Sequence, residues 1–91
     1  MVDMKTILTR NAECPVRPVG GGLVIANPRL NETISIEDIG AFIWNRIDGR
    51  NDLETILDDL LREYQVAAAT ATRDLQTFIS QLMEAGLVQT L

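Results

Sequence analysis

The spacing of apolar residues changes near residue 37, and that change constrains the fold more than any other feature of the chain. Before it, Val16, Val19, Leu23, Val24, Ile25, Ile34 and Ile36 are apolar and mostly β-branched. Pro15, Pro18, Gly20–Gly22 and Asn27-Pro28 punctuate them, which is the signature of short strands joined by tight turns. Strands are predicted near 14–18, at 22–27 and at 32–36. In the third, Ile34 and Ile36 lie two apart and face one side, the core, while Thr33 and Ser35 point away. Residues 1–13 are expected to form a less ordered N-terminal segment.

After residue 37 the spacing becomes three and four. Ile39, Phe42, Ile43 and Ile47 mark one face of a first helix, which Asp48-Gly49 ends, with Gly49 suited to a left-handed position. Asn51-Asp52-Leu53-Glu54 resembles a capping box, with Asn51 as the cap and Glu54 reaching back. Leu53, Ile56, Leu57, Leu60, Leu61 and Tyr64 then form the stripe of a second helix at about 52–64. A third helix is expected from about 68 to 85, with Ala71, Leu75, Phe78, Ile79 and Leu82 on one side. Its start is weakly capped, because Ala67-Ala68-Ala69 offers no side-chain acceptor. Gly86 stops it, and Leu87-Val88 is able to return as a short extended tail.

Strands followed by three helices imply an α+β domain. The short connection between the second and third helices is that of a helix-turn-helix. A small sheet packed on such a unit is a winged helix-turn-helix-like arrangement. At 91 residues the chain is read as a single domain over 1–91. No apolar run approaches the ~20 residues that a membrane helix needs. One cysteine, Cys14, allows no internal disulfide, and a cytoplasmic location is expected.

Charge and missing side chains narrow the function. The net charge is −5, and the Arg62, Arg73 and seven acidic residues of 51–91 carry all of it. Nucleic acid binding depends on Lys and Arg meeting phosphates, so an acidic half argues against that partner. There is no histidine, which removes the commonest general base and neutral metal ligand. Gly20-Gly21-Gly22 is followed by no lysine and no helix signal, so it reads as a turn. Asp58 and Asp59 point about 100° apart on a helix and share no site. No catalytic constellation is present, and neither enzymatic activity, a cofactor nor a metal is expected.

The stretch Ile36-Glu37-Asp38-Ile39-Gly40-Ala41-Phe42-Ile43-Trp44-Asn45-Arg46-Ile47-Asp48-Gly49 resembles the hallmark of the PqqD-like family. A Leu/Ile-rich helix, Leu53 to Tyr64, follows it. The stretch Asp74-Leu75-Gln76-Thr77-Phe78-Ile79-Ser80-Gln81-Leu82-Met83-Glu84-Ala85-Gly86-Leu87-Val88 completes the pattern. The resemblance covers about residues 16–89. Two departures concern caps: the family's Asn and Thr before the first helix fall on Glu37 and Ile39, and its acidic cap before the third on Ala67-Ala68-Ala69.

The resemblance implies a non-catalytic recognition element for ribosomally made precursor peptides, as in pyrroloquinoline quinone (PQQ) and lasso peptide biosynthesis. Such a domain holds the leader and presents the core segment to a modifying enzyme, a radical SAM enzyme or a peptidase. The implied mechanism is strand addition to the edge formed by Glu32, Thr33, Ile34, Ser35 and Ile36, with the last helix as the opposite wall. On that helix Leu75, Phe78, Ile79 and Leu82 are expected to form an apolar floor, flanked by Arg73, Asp74 and Gln81. Trp44 is expected in the core beneath the sheet. The open edge would also allow a homodimer. The alternatives are a winged-helix DNA-binding protein and a dimerisation or regulatory module. Arg73 against Asp74 and Glu84 makes the third helix a poor reader of DNA.

Overall fold

In the computed structural model, which describes residues 2–91, the chain runs β1 (Leu8–Arg10), β2 (Val16–Val19), β3 (Gly22–Asn27), β4 (Glu32–Glu37), α1 (Ile39–Arg46), α2 (Leu53–Glu63), α3 (Ala68–Glu84) and β5 (Val88–Thr90). β2, β3 and β4 form an antiparallel sheet in that order, and β1 pairs antiparallel with β5 in a separate ribbon. The architecture is α+β and winged helix-turn-helix-like, with four strands rather than three ahead of the helices.

The three expected strands and three expected helices are all present, within about two residues at their ends. β1 is the addition. The sequence reading expects residues 1–13 to be less ordered, yet Leu8 is 1% exposed and belongs to the core. β1 lies between β5 on one side and the turn before α2 on the other. Gly49 N–H donates to the Leu8 carbonyl and Leu53 N–H to that of Thr6, each at 3.0 Å. Further out, the Gln76 amide clamps the backbone of Val2, accepting from its N–H at 2.8 Å and donating to its carbonyl at 2.7 Å. A three-residue strand is too short to show alternation, and its partner Thr90 lies at the far end of the sequence.

The core lies between the sheet and the helices. Ile25 and Ile36 come from the sheet, Ile43, Trp44 and Ile47 from the α1 region, Leu53, Ile56 and Leu60 from α2, and Leu75, Ile79 and Leu82 from α3. Trp44 is 1% exposed, so it serves packing, as expected. Each of these fully buried aliphatic side chains contributes about 1.5–3 kcal/mol through removal from water. α1 is tied to α2 by an edge-to-face contact of Phe42 with Tyr64 and by Arg46, which stacks 3.6 Å over Phe42 and pairs with Asp59.

The caps differ in part from expectation. Asp52, not Asn51, caps α2: its carboxylate accepts from Thr55 N–H at 2.8 Å. Asn51 instead donates from Nδ2 to the Arg46 carbonyl and to Asp48 Oδ2, and Glu54 pairs with Lys5 rather than reaching back. α3 starts without a side-chain cap, as the alanine run implies. Its end is a Schellman turn: Gly86, at φ +70°, donates to the Met83 carbonyl and Leu87 to that of Leu82. Three side chains converge on this end. Asn27 Nδ2 donates to the Ala85 carbonyl at 2.9 Å, Asn11 Nδ2 to the Gly86 carbonyl at 3.0 Å, and the buried Cys14 thiol approaches the Gly86 oxygen at 3.9 Å. Burial pushes that thiol's pKa up, away from the reactive thiolate. Asp38, between β4 and α1, sits at φ 48° and ψ −113°, and its side chain makes no cap hydrogen bond.

Candidate functional site: the open edge of β4 beside α3

A three-stranded sheet has two edges, and here they are unequal. In an antiparallel pair the hydrogen bonds of successive residues alternate between the two flanks of a strand. Ala26 N–H donates to the Pro15 carbonyl, so Gly22, Val24 and Ala26 bond toward β2, and Leu23, Ile25 and Asn27 bond toward β4. It follows that on β2 the outward groups belong to Val16 and Pro18. Pro18 has no N–H to offer, so this edge is blunted. On β4 the partners of β3 are Glu32, Ile34 and Ile36. The N–H and C=O groups of Thr33, Ser35 and Glu37 therefore point outward, and no proline interrupts them. β4 is the edge that another strand can join.

Side chains alternate as well. Ile34, half-buried, and Ile36, 5% exposed, face α3 and the core, while Thr33 and Ser35 are exposed on the other face, as the sequence predicts. Glu32 shares the α3 side with Ile34. Together with Gln81, Glu84 and Ala85 they line a cleft of about 190 Å³ between the strand and the last turns of α3. Past the other end of β4, a second pocket of about 190 Å³ is lined by Ile39, Gly40, Val66, Thr70, Asp74 and Phe78, among others. Gly40 belongs there for steric reasons: a Cβ at that position would stand 3.3 Å from Ile36 Cβ and 3.5 Å from the Phe78 ring. At the rim, Arg73 pairs with Asp74 at 3.5 Å, both well exposed.

The expected floor on α3 divides in two. Ile79 and Leu82, each 0% exposed, are packed inward against the core and line neither pocket. Phe78, half-buried, and Leu75, at 1% exposure, both line the pocket. The stripe that faces the groove is Thr70, Asp74, Phe78, Gln81 and Ala85, one position behind the core stripe Ala71, Leu75, Ile79 and Leu82. Both stripes have helical spacing. Of the two, the stripe that meets solvent is distinguishable only once the packing of α1 and α2 is known. Sequence reasoning thus misses Thr70 and Glu84 on α3, Ala85 at its C-cap, and Ile39, Gly40 and Val66 beside it.

No group of three or more His, Cys, Asp and Glu side chains among the described residues is arranged to hold a metal ion. No helix among them is long and apolar enough to cross a membrane.

These features define a small winged helix-turn-helix-like domain whose three-stranded sheet is open at its β4 edge, beside a helix. A family model described as coenzyme PQQ synthesis protein D matches residues 22–88, and the chain belongs to that family. Two solved structures share the fold with a TM-score of 0.79 each. One is TbiB1 in complex with the TbiA(beta) leader peptide, 21% identical over 89% of this chain and 94% of that one. The other is a lasso peptide synthetase B1 complexed with the leader peptide, 24% identical over 91% and 98%. No curated protein gives a significant match.

Proposed function

We propose that the protein is a non-catalytic recognition element that captures the leader of a ribosomally made precursor peptide. The leader is added as a further strand along Thr33, Ser35 and Glu37 of β4, with α3 as the facing wall, and the core segment is presented to a modifying enzyme such as a radical SAM enzyme or a leader peptidase. The carrying observation is the unequal pair of edges: β2 is blunted by Pro18 and β4 is open. Family membership and two neighbours of the same fold in complex with leader peptides support the reading. Five to seven paired residues would span about 17–23 Å at ~3.3 Å each.

In this arrangement the backbone supplies affinity with little sequence preference, and Phe78, Asp74 and Gln81 on α3 supply discrimination. The open edge also suits a second copy of the chain, so a leader is expected to convert any such dimer into monomers. A fluorescein-labelled leader from a short reading frame beside the gene, titrated by polarisation against a scrambled control, tests the function. Saturable binding at or below about 10 μM, roughly −7 kcal/mol, is expected. Strand addition adds a sharper criterion. N-methylation of alternate leader residues removes the N–H groups facing β4 and should abolish binding at every second position only. Uniform tolerance of N-methylation would refute the strand; equal binding of the scrambled peptide would refute the function.

A further inference from the structure

The charge on the two ends of the groove is unequal, and it bears on the chemistry of the occupant. The cleft at the start of β4 has two charged walls, Glu32 from the strand and Glu84 from α3, and no basic one. The ion pairs of the described residues use Lys5, Arg29, Arg46, Arg62 and Arg73, and none of them involves Glu32 or Glu84. Both carboxylates are exposed to solvent. A strand laid along β4 covers part of that surface. A neutral or acidic side chain then leaves two like charges facing each other in a narrowed space, whereas a basic one offsets both. Glu37 adds nothing here, since its side chain lies on the opposite face of the sheet.

The other end is apolar. Ile39, Gly40, Leu75 and Phe78 are among its lining, and its one charged lining residue, Asp74, already has Arg73 as a partner. The spacing between the two ends follows from the register of β4. The acidic cleft lies at Glu32, and the apolar pocket lies beside Ile36, whose Cβ, like the Phe78 ring, closely flanks Gly40. Glu32 and Ile36 are four residues apart on the α3 face of β4, about 13 Å at ~3.3 Å per residue, and a strand paired with β4 keeps that spacing.

Building on the strand-addition reading, we propose that the segment this groove selects carries a Lys or Arg over Glu32 and Glu84 and a large apolar side chain in the Phe78 pocket, four residues apart. The test is selection from a random decapeptide library displayed on its encoding RNA, with the full chain immobilised as bait. Enriched sequences are expected to pair Lys or Arg with Phe, Tyr, Leu or Ile at a spacing of four. In synthetic peptides, replacing the basic residue by Glu should weaken binding at least tenfold. The double variant Glu32→Lys with Glu84→Lys, both at exposed positions, should reverse the preference toward Asp or Glu. Enriched peptides that compete for β4 but show no basic preference, a preference that the double variant leaves unchanged, or a consistent spacing other than four would overturn the proposal while sparing strand addition. Failure to enrich any peptide would overturn both.

Discussion

Asn27 is the one buried polar residue of the described core, at 4% exposure, and its loss should be costly. It lies at the end of β3 opposite Glu32, and its side chain ties the hairpin to the end of α3. Nδ2 donates to the Ala85 carbonyl at 2.9 Å and less closely to that of Gly86 at 3.3 Å, while Oδ1 accepts from Arg29 N–H at 3.1 Å. Asn27→Ala deletes the two closer bonds, each worth about 0.5–1.5 kcal/mol net, and strips a donor from a buried carbonyl, which costs about 1–3 kcal/mol. The Gly86 carbonyl keeps Asn11 and is not orphaned. The sum is a loss of about 3 kcal/mol. At roughly 4–8 °C per kcal/mol for a domain of this size, the midpoint should fall by about 12–24 °C. Urea denaturation followed by circular dichroism measures the free energy, and a thermal scan measures the shift. Asn11→Ala removes a half-buried bond to the Gly86 carbonyl and an exposed one accepted from Glu13 N–H, orphans no buried group because Asn27 still reaches Gly86, and should cost only about 1 kcal/mol. A loss below about 1 kcal/mol for Asn27→Ala, or equality of the two variants, would refute the assignment of Asn27 as the tie between sheet and helix.

Asp38→Gly should stabilise the protein. A non-glycine residue at φ 48° and ψ −113° stores about 1–3 kcal/mol, the side chain makes no cap bond, and glycine gives back about 0.4–1 kcal/mol as unfolded-state entropy; a gain of about 1 kcal/mol in the unfolding free energy from urea denaturation is expected. Phe78→Ala should weaken leader binding about tenfold or more while leaving the core stripe intact, whereas Arg73→Ala should change affinity less than threefold, both read by polarisation. Stability should also decline in acid. Backbone N–H groups of Asn51 and Arg50 hold the Asp48 carboxyl below its ordinary range, and that of Thr55 does the same for Asp52. Because both folded-state pKa values lie below the unfolded ones, this stabilisation is complete above about pH 4 and is lost as the pH falls through the folded values. Thermal midpoints measured from pH 6 to pH 2 should drop in that window, less steeply in Asp52→Asn.

The parts of the fold that repeat locally were legible in the sequence. The spacing of Leu53, Ile56 and Leu60 and the stop at Gly86 were sufficient to locate α2 and the end of α3. Ile34 and Ile36 identified the inner face of β4 because alternation survives in a six-residue strand. What failed to show had non-local causes. β1 depends on partners at residues 49–54 and 87–91, which no local pattern announces. The cap moved from Asn51 to Asp52 because Asn51 is drawn back by Arg46 and Asp48. On α3 the sequence names Asp74, Phe78 and Gln81 of the groove stripe but sets the buried Ile79 and Leu82 beside them, because a helix carrying two adjacent stripes of helical spacing does not disclose which one its neighbours cover. The edge itself was recoverable: Pro18 on β2 and the absence of proline on β4 are both visible in the sequence, once the register is known.

The ribbon of β1 and β5 has a consequence for how the chain assembles. Its partners, Leu8 and Thr90, are almost the whole sequence apart, whereas β2, β3 and β4 join through tight turns and the helices form locally. Closing so long a loop is entropically unfavourable until the intervening chain has already condensed. The ribbon is therefore expected to form late, on the downhill side of the folding barrier. Its hydrogen bonds act as a latch whose strength is felt in the rate of unfolding and hardly at all in the rate of folding. Weakening it with Thr9→Pro should speed the escape from the native state and leave refolding at nearly its original rate, so that the lifetime of the groove should depend on a ribbon outside the sheet that borders it.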